Sequence, residues 1–142
     1  SPTMPNLKDR ILDVVKAPFL AGLATTTKDG KPWVRYVMVE ASDDLTFRCS
    51  SLVNVRKVAQ IESNPEVHLT CGISLPTDMG PYLQIQGRAE FRTDSEARHA
   101  FWSDRLSAVF QGPDDPNYGV VVVHAYRIEL WHVGVEPEFW ER

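Results

Sequence analysis

Between Phe19 and Trp131 the chain carries six strand-like runs and only two helical ones, and that imbalance restricts the fold more than any other feature. A parallel pair of strands needs a crossover of a dozen or more residues, usually a helix. The joins here are too short for that. FLAGLATT (19–26) is followed by TKDGK, and PWVRYVMVEA (32–41) by SDD and then LTFRCS (45–50). Turns of this length, rich in Gly and Asp, predict antiparallel hairpins. EVHLTCGISL (66–75) alternates Val67, Leu69, Cys71, Ile73 and Leu75 against mostly polar neighbours, and YLQIQGRAEFR (82–92) puts Tyr82, Gln84 and Gln86 on one face. YGVVVVHAYRIELW (118–131) is a long final strand. Six antiparallel strands with so few helices leave exposed edges unless the sheet closes. The expectation is a mainly β fold, a closed or nearly closed six-stranded antiparallel barrel. It forms one domain over residues 1–142, with a loose tail at 1–5.

The helical stretches have recognisable ends. Asn6 is placed to cap a first helix, with Asp9 three positions later and Leu7, Ile11 and Val15 on one face, closed by Pro18. Thr93 and Glu96 form a capping-box pattern that predicts a helix over 94–111, ended by Gly112-Pro113. Trp102 falls there with Phe101, Leu106, Val109 and Phe110, so it reads as core. Between these lies SSLVNVRKVAQIESNP (50–65), with Asn54 as N-cap, Val58 and Ile61 three apart, and Asn64-Pro65 as a stop. A helix start is already electropositive, because its first N–H groups are unpaired and the peptide dipoles add. Acids belong there, yet this sequence places Arg56 and Lys57 in the first turn.

The net charge of −4 argues against nucleic acid or an anionic membrane as the main partner, so a cationic site must be local. The longest unbroken aliphatic run is Val120–Val123, far short of a membrane span, and residues 1–18 hold no apolar block of the signal-peptide kind. Cys49 and Cys71 form no CxxC pattern and read as small buried thiols, which predicts a reducing, cytoplasmic setting. GxGxxG, GxxxxGK[ST] and GxSxG are all absent. His68, His99, His124 and His132 lack HxxxH or HExxH spacing, so no metal site is expected of them. Asp114 and Asp115 sit in a Gly-Pro turn and read as solvated.

Arg35, in WVRYVMV, shares a strand face with Trp33, Val37 and Val39. A guanidinium in such surroundings is costly unless an anion meets it, either a protein carboxylate or a ligand. Beside it stand Arg56, Lys57 and the hydroxyls of Ser50 and Ser51. Hydroxyls, helix N–H groups, a guanidinium that can grip two oxygens and an ammonium make a phosphate-binding set. The excess charge at 56–57 is then cancelled by a bound phosphate.

The stretch GLATTTKDGKPWVRYVMVEASDDLTFRCSSLVNVRKVAQIESNPEVHLTC resembles the pyridoxamine 5′-phosphate oxidase-like FMN-binding split barrels. YLQIQGRAEF, GPDDPNYGVVVV and YRIELW resemble their general-stress-protein-26 branch, and the likeness covers roughly residues 10–132. It implies a six-stranded split barrel that forms a homodimer with FMN sites at the interface. By that resemblance Arg35, Tyr36, Val37 and Met38 lie along the flavin and ribityl chain, and Ser50 or Ser51 supplies a hydroxyl. Arg56 and Lys57 hold the FMN phosphate, while Tyr82 and Trp131 approach the flavin from the second chain. Three departures stand out. Val55 replaces a common serine, Glu40 replaces the lysine that true pyridoxamine phosphate oxidases set near substrate, and VGVEPEFWER lacks their Arg-x-His pattern. The functional expectation is an FMN-dependent oxidoreductase of unknown small-molecule substrate or electron donor, related to those oxidases without acting as one. The alternatives are a non-catalytic flavin protein of stress or electron transfer, and a split barrel using deazaflavin F420 or haem.

Overall fold

The computed structural model describes residues 5–142, so residues 1–4 of the expected tail lie outside the described residues. Strands β1 (Phe19–Thr26), β2 (Pro32–Ala41), β3 (Thr46–Leu52), β4 (Glu66–Cys71), β5 (Tyr82–Arg92) and β6 (Tyr118–His132) pair antiparallel in the order β3-β2-β1-β4-β5-β6. A further pairing of β3 with β6 closes a six-stranded barrel. Closure gives the polar backbone of both end strands a partner, as the helix-poor sequence requires. The hairpin turns follow their sequence: Gly30 takes φ +81 in TKDGK, where a side chain would be strained.

Strand β6 explains its own unbroken VVVV run. Val121 and Val123 point into the barrel with Leu23, Phe47 and Ile85. Val120 and Val122 point outward and are covered by Phe101, Leu106, Phe110 and Tyr118. A strand buried on both faces has no reason to alternate. The first half of β6 pairs with β3, Tyr118 facing Leu52 and His124 facing Thr46. Its second half pairs with a strand the sequence reading lacks, β7 (Val135–Glu141), which lies outside the barrel.

Helix α1 (Leu7–Val14) is capped as expected, the Asn6 side chain accepting the Asp9 N–H at 2.9 Å, and it sinks Ile11 into the core. Two other expectations need correction. The run 66–75 leaves the sheet at Cys71 because Gly72 turns at φ +114, so Ile73 and Leu75 are exposed. The helix expected over 94–111 is in fact α3 (Ser95–Phe101) followed by a 3₁₀ turn (Asp104–Ala108). Its cap is Asp94 and not Thr93: the Asp94 carboxylate accepts the Ala97 N–H at 3.1 Å while Arg92 grips it and holds its pKa down at about 2. The break at Trp102 lets that ring meet Tyr118 edge-on at 5.6 Å, so Trp102 is packed as expected while Val109 is left exposed. Among the described residues no helix is long and apolar enough to cross a membrane.

Candidate functional site

Helix α2 (Arg56–Ser63) follows β3 and packs Val58 and Ile61 inward, as their spacing predicts. Its N-cap is Val55, not Asn54, and no side chain accepts a hydrogen bond there. A valine has no side-chain oxygen to offer, so the Val58 N–H turns back to the Val55 carbonyl at 3.2 Å while the N–H groups of Arg56 and Lys57 gain no side-chain cap. No acid occupies that turn either. Arg56 is exposed and stacks its guanidinium 4.3 Å from the centre of the Trp33 ring. Lys57 is half-buried; burial pushes its ammonium pKa down, Cys49 pulls it up, and the Arg35 charge pushes it down again.

Arg35 completes the cluster. Its Nη1 donates to Thr25 Oγ1 at 2.6 Å and to the carbonyls of Leu23 and Trp33 at 3.3 Å, and its Nη2 donates to Gln60 Oε1 at 3.0 Å. Every acceptor is neutral. Burial first, and then the field of Arg56, lowers its pKa. The choice between a protein carboxylate and a ligand is therefore narrowed. Arg88, Arg92 and Arg127 each lie against a carboxylate, but no ion pair among the described residues includes Arg35, Arg56 or Lys57. Three cations whose fields reach one another cost the protein energy that a bound anion would relieve.

The two serines separate by register. Ser50 pairs with Val120 and shares its outward face, under the α3 cluster. Ser51 pairs with Gly119 and shares the face of Cys49, the thiol whose charge Lys57 feels. Ser51 is buried, and its hydroxyl donates to the Leu52 carbonyl at 2.8 Å. Gly119 is required beside it, since a Cβ there would meet the Phe91 ring at 2.2 Å.

A groove of about 850 Å³ crosses the outer face of β1, β2 and β4, with Leu20, Val34, Tyr36, Thr70 and Tyr82 among its lining and Arg35 in its wall. Arg35 is the member of the cationic cluster that the groove shares. Of the other residues expected along a flavin, Met38 is exposed on the same strand face as Tyr36, but Val37 turns into the core, so only its backbone is available. Trp131 stays out of the groove lining and stacks with Tyr82 at 6.4 Å and 18°, its indole N–H held by Glu129 at 3.0 Å. Thus Tyr36 and Tyr82 meet Arg35 along the groove, whereas Ser50, Ser51, Arg56 and Lys57 do not line it.

The sequence reading missed Thr25, Trp33 and Gln60 as parts of this site. Gln60 had a signal, because it lies three and four residues after Lys57 and Arg56 on one helical face. Glu40 is not a bare negative charge, since Arg105 stands 3.5 Å from it. The segment VEPEFWE is β7, with Glu138 paired to Arg10 and Glu141 to Arg127.

Comparisons with known proteins agree with this architecture. The sequence model of the family described as pyridoxamine 5′-phosphate oxidase matches residues 7–132. General stress protein 26 of Bacillus subtilis strain 168 is 32% identical over 129 residues, 91% of each chain. The crystal structure of general stress protein 26 from Bacillus anthracis strain Sterne superposes with a TM-score of 0.80 at 26% identity, over 96% of this chain and 98% of that one. A haem-binding protein from Mycobacterium smegmatis shares the fold, with a TM-score of 0.80 at 16% identity over 99% of this chain and 60% of its own.

Proposed function

The chain belongs to the pyridoxamine 5′-phosphate oxidase family, and we propose that it is an FMN-binding flavoprotein that acts as an oxidoreductase on a small molecule or electron donor. One observation carries the reading: Arg35, Arg56 and Lys57 gather by the uncapped start of α2, and among the described residues no carboxylate pairs with any of them. FMN fits that donor set, because it joins one terminal phosphate to a planar, largely apolar ring system. The phosphate suits the α2 end and the ring suits the groove. Arg56, Lys57 and the first α2 N–H groups would hold the phosphate, with Ser51 as the serine facing them. Arg35, Tyr36, Met38 and the Val37 backbone would follow the ribityl chain and ring, with Tyr82 and Trp131 as aromatic walls. When bound, FMN supplies hydride and electron transfer. The protein's part is to bind and orient it and to keep water from its ring.

The same reading makes the protein a homodimer and places it in the cytoplasm as one domain over 1–142. Leu20, Val34, Tyr36 and Met38 are 56%, 67%, 79% and 46% exposed on one contiguous sheet face, more apolar surface than a lone chain usually shows. It also makes pyridoxamine 5′-phosphate a poor substrate. Glu40, even with Arg105 nearby, sets a carboxylate where those oxidases place a lysine, and a like charge disfavours a second phosphate.

Haem is the second reading, favoured by His68. It is half-buried, burial lowers its pKa toward the neutral form that ligates iron, and it is two residues from Thr70 in the groove wall. The test is an absorption spectrum of freshly purified protein with mass analysis of the released ligand, followed by fluorescence titration of the apoprotein. A flavin spectrum, FMN mass and much tighter binding of FMN than of riboflavin are expected. A haem band, a deazaflavin mass, or equal affinity for riboflavin and FMN would overturn the reading. Reduction without turnover of any acceptor would keep the flavin and remove the enzyme.

A further inference from the structure

Arg35 is held differently from the ion-paired arginines of the barrel strands. Arg88, Arg92 and Arg127 rest on carboxylates. Arg35 rests on Gln60 and Thr25, both nearly buried at 7% and 2% exposure. The three side chains form a closed triangle. Thr25 donates its hydroxyl to Gln60 Oε1 at 2.5 Å, and Arg35 donates to both oxygens, at 2.6 Å and 3.0 Å. One corner comes from β1, one from β2 and one from α2, so the triangle also ties the middle of α2 to the strand that carries Arg35.

We propose that Gln60 and Thr25 are positioning residues that hold the Arg35 guanidinium through neutral oxygens, so that from its place beside the ribityl chain its full positive charge adds to the field of Arg56 and Lys57 that meets the phosphate of the ligand. This rests on the anion-site reading above. A glutamate at position 60 has nearly the same shape and would grip Arg35 more firmly, because an opposite charge adds Coulomb attraction to a bond whose donor is already ionised. It would also cancel the charge. A neutral amide fixes the guanidinium and leaves the field intact. The lowered pKa of Arg35 fits this, since its surroundings supply burial and a second cation and no anion. Position 60 matters further because it lies one turn beyond Arg56, so the helix that presents the phosphate-binding N–H groups also sets the angle of the guanidinium.

The experiment compares wild type, Gln60→Glu and Gln60→Met as purified apoproteins. FMN and riboflavin are titrated by flavin fluorescence, and inorganic phosphate is followed by its effect on the melting temperature. Gln60→Glu should bind FMN about 10- to 100-fold more weakly, the range of one charged hydrogen bond. It should keep riboflavin within about twofold and melt above wild type without ligand, since it gains an ion pair. Gln60→Met, which removes the acceptor without adding charge, should lose FMN affinity by about 2- to 10-fold, with riboflavin again spared. Unchanged FMN affinity in Gln60→Glu overturns the proposal, and so does a parallel loss of FMN and riboflavin, which is what a merely structural residue would give. If Gln60→Glu does not fold, an unchanged FMN-to-riboflavin ratio in Gln60→Met overturns it. The flavin reading fails separately: a wild type that binds no flavin but is stabilised by phosphate, with that effect lost in Gln60→Glu, removes FMN and keeps the positioning role. A wild type indifferent to both FMN and phosphate removes both.

Discussion

Helices α1 and α2 are each eight residues long and both pack on the barrel, α1 leading into the start of β1 and α2 reaching Thr25 near its end. Their first turns are opposites. In α1 the Asn6 side chain closes an open N–H and Asp9 meets the positive end of the helix. In α2 no side chain closes anything, and Arg56 and Lys57 add charge to an end that is already positive. The first helix is finished by the protein alone. The second has its apolar face finished, with Val58 and Ile61 buried, while its polar start has neither a side-chain cap nor an acid. The difference teaches that a poor helix terminus on a well-packed helix is a site signal, where the same terminus on a loose helix would be only a weak helix.

The largest effect should come from the side that is left open. Arg56→Ala with Lys57→Ala should weaken FMN binding by about 10²- to 10⁴-fold, two charged hydrogen bonds of roughly 1.5–3 kcal/mol each. The apoprotein should melt no lower, or slightly higher, because the repulsion removed offsets the lost stacking of Arg56 on Trp33. A large fall in apo stability would mean that these cations have partners within the chain, and the comparison would break. The mirror experiment is Ile11→Ala in α1, where the side chain is fully buried. It should cost about 2–5 kcal/mol of stability and leave FMN affinity unchanged below the melting point; a coupled loss of affinity would show that the two helices are not independent. Smaller effects test the caps directly. Asn6→Ala should destabilise the protein by about 1 kcal/mol, while Val55→Asp should stabilise the apoprotein by a similar amount and weaken FMN binding, because it fills the place of the anion. If Val55→Asp leaves FMN affinity alone, the phosphate does not use that helix start.

The last test is a titration. Burial raises the Cys49 thiol from 9.0 to about 11, with Lys57 pulling the other way. A group whose folded pKa is raised contributes stability that is full below its unfolded value and lost as pH climbs through the folded one. Apoprotein melting temperatures should therefore fall between pH 9 and 11, and Cys49→Ala should flatten part of that decline. Cys71, raised to about 12 by burial, should account for another part. An identical decline in Cys49→Ala would show that the thiol beneath α2 plays no part.

The barrel was legible because β5 and the short hairpin joins leave few other solutions, and α1 because its cap, its acid and its apolar stripe agree. β7 was not legible for a physical reason: outside the barrel it has no fully buried face, so Glu136, Pro137 and Glu138 break any alternation. The 94–111 stretch keeps helical periodicity across Trp102, while the break there sets that ring against Tyr118, a contact distant in sequence. At the site, Arg56 and Lys57 stood out because they violate a local rule. Gln60 and Thr25 violate none, and they acquire meaning only when Arg35 is brought to them from another strand. Ser50 and Ser51 were indistinguishable until pairing with Val120 and Gly119 assigned each a face.

The divided edge of β6 also governs the order in which this chain can fold. The β7 half is a local hairpin, His132 facing Val135 across Gly134, and hairpins of that kind close in about 1–10 μs. The β3 half must bring Leu52 to Tyr118 and Thr46 to His124, a long loop whose entropy is lost before any contact repays it. Barrel closure is therefore the slow event. Until it happens the Val120–Val123 run offers an unpaired, β-branched edge to any other chain nearby. During synthesis β3 emerges long before its partner, so the hazard lasts from the appearance of β6 until the two strands meet. The length of that exposure depends on the speed of one encounter, a quantity that the stability of the finished barrel does not set.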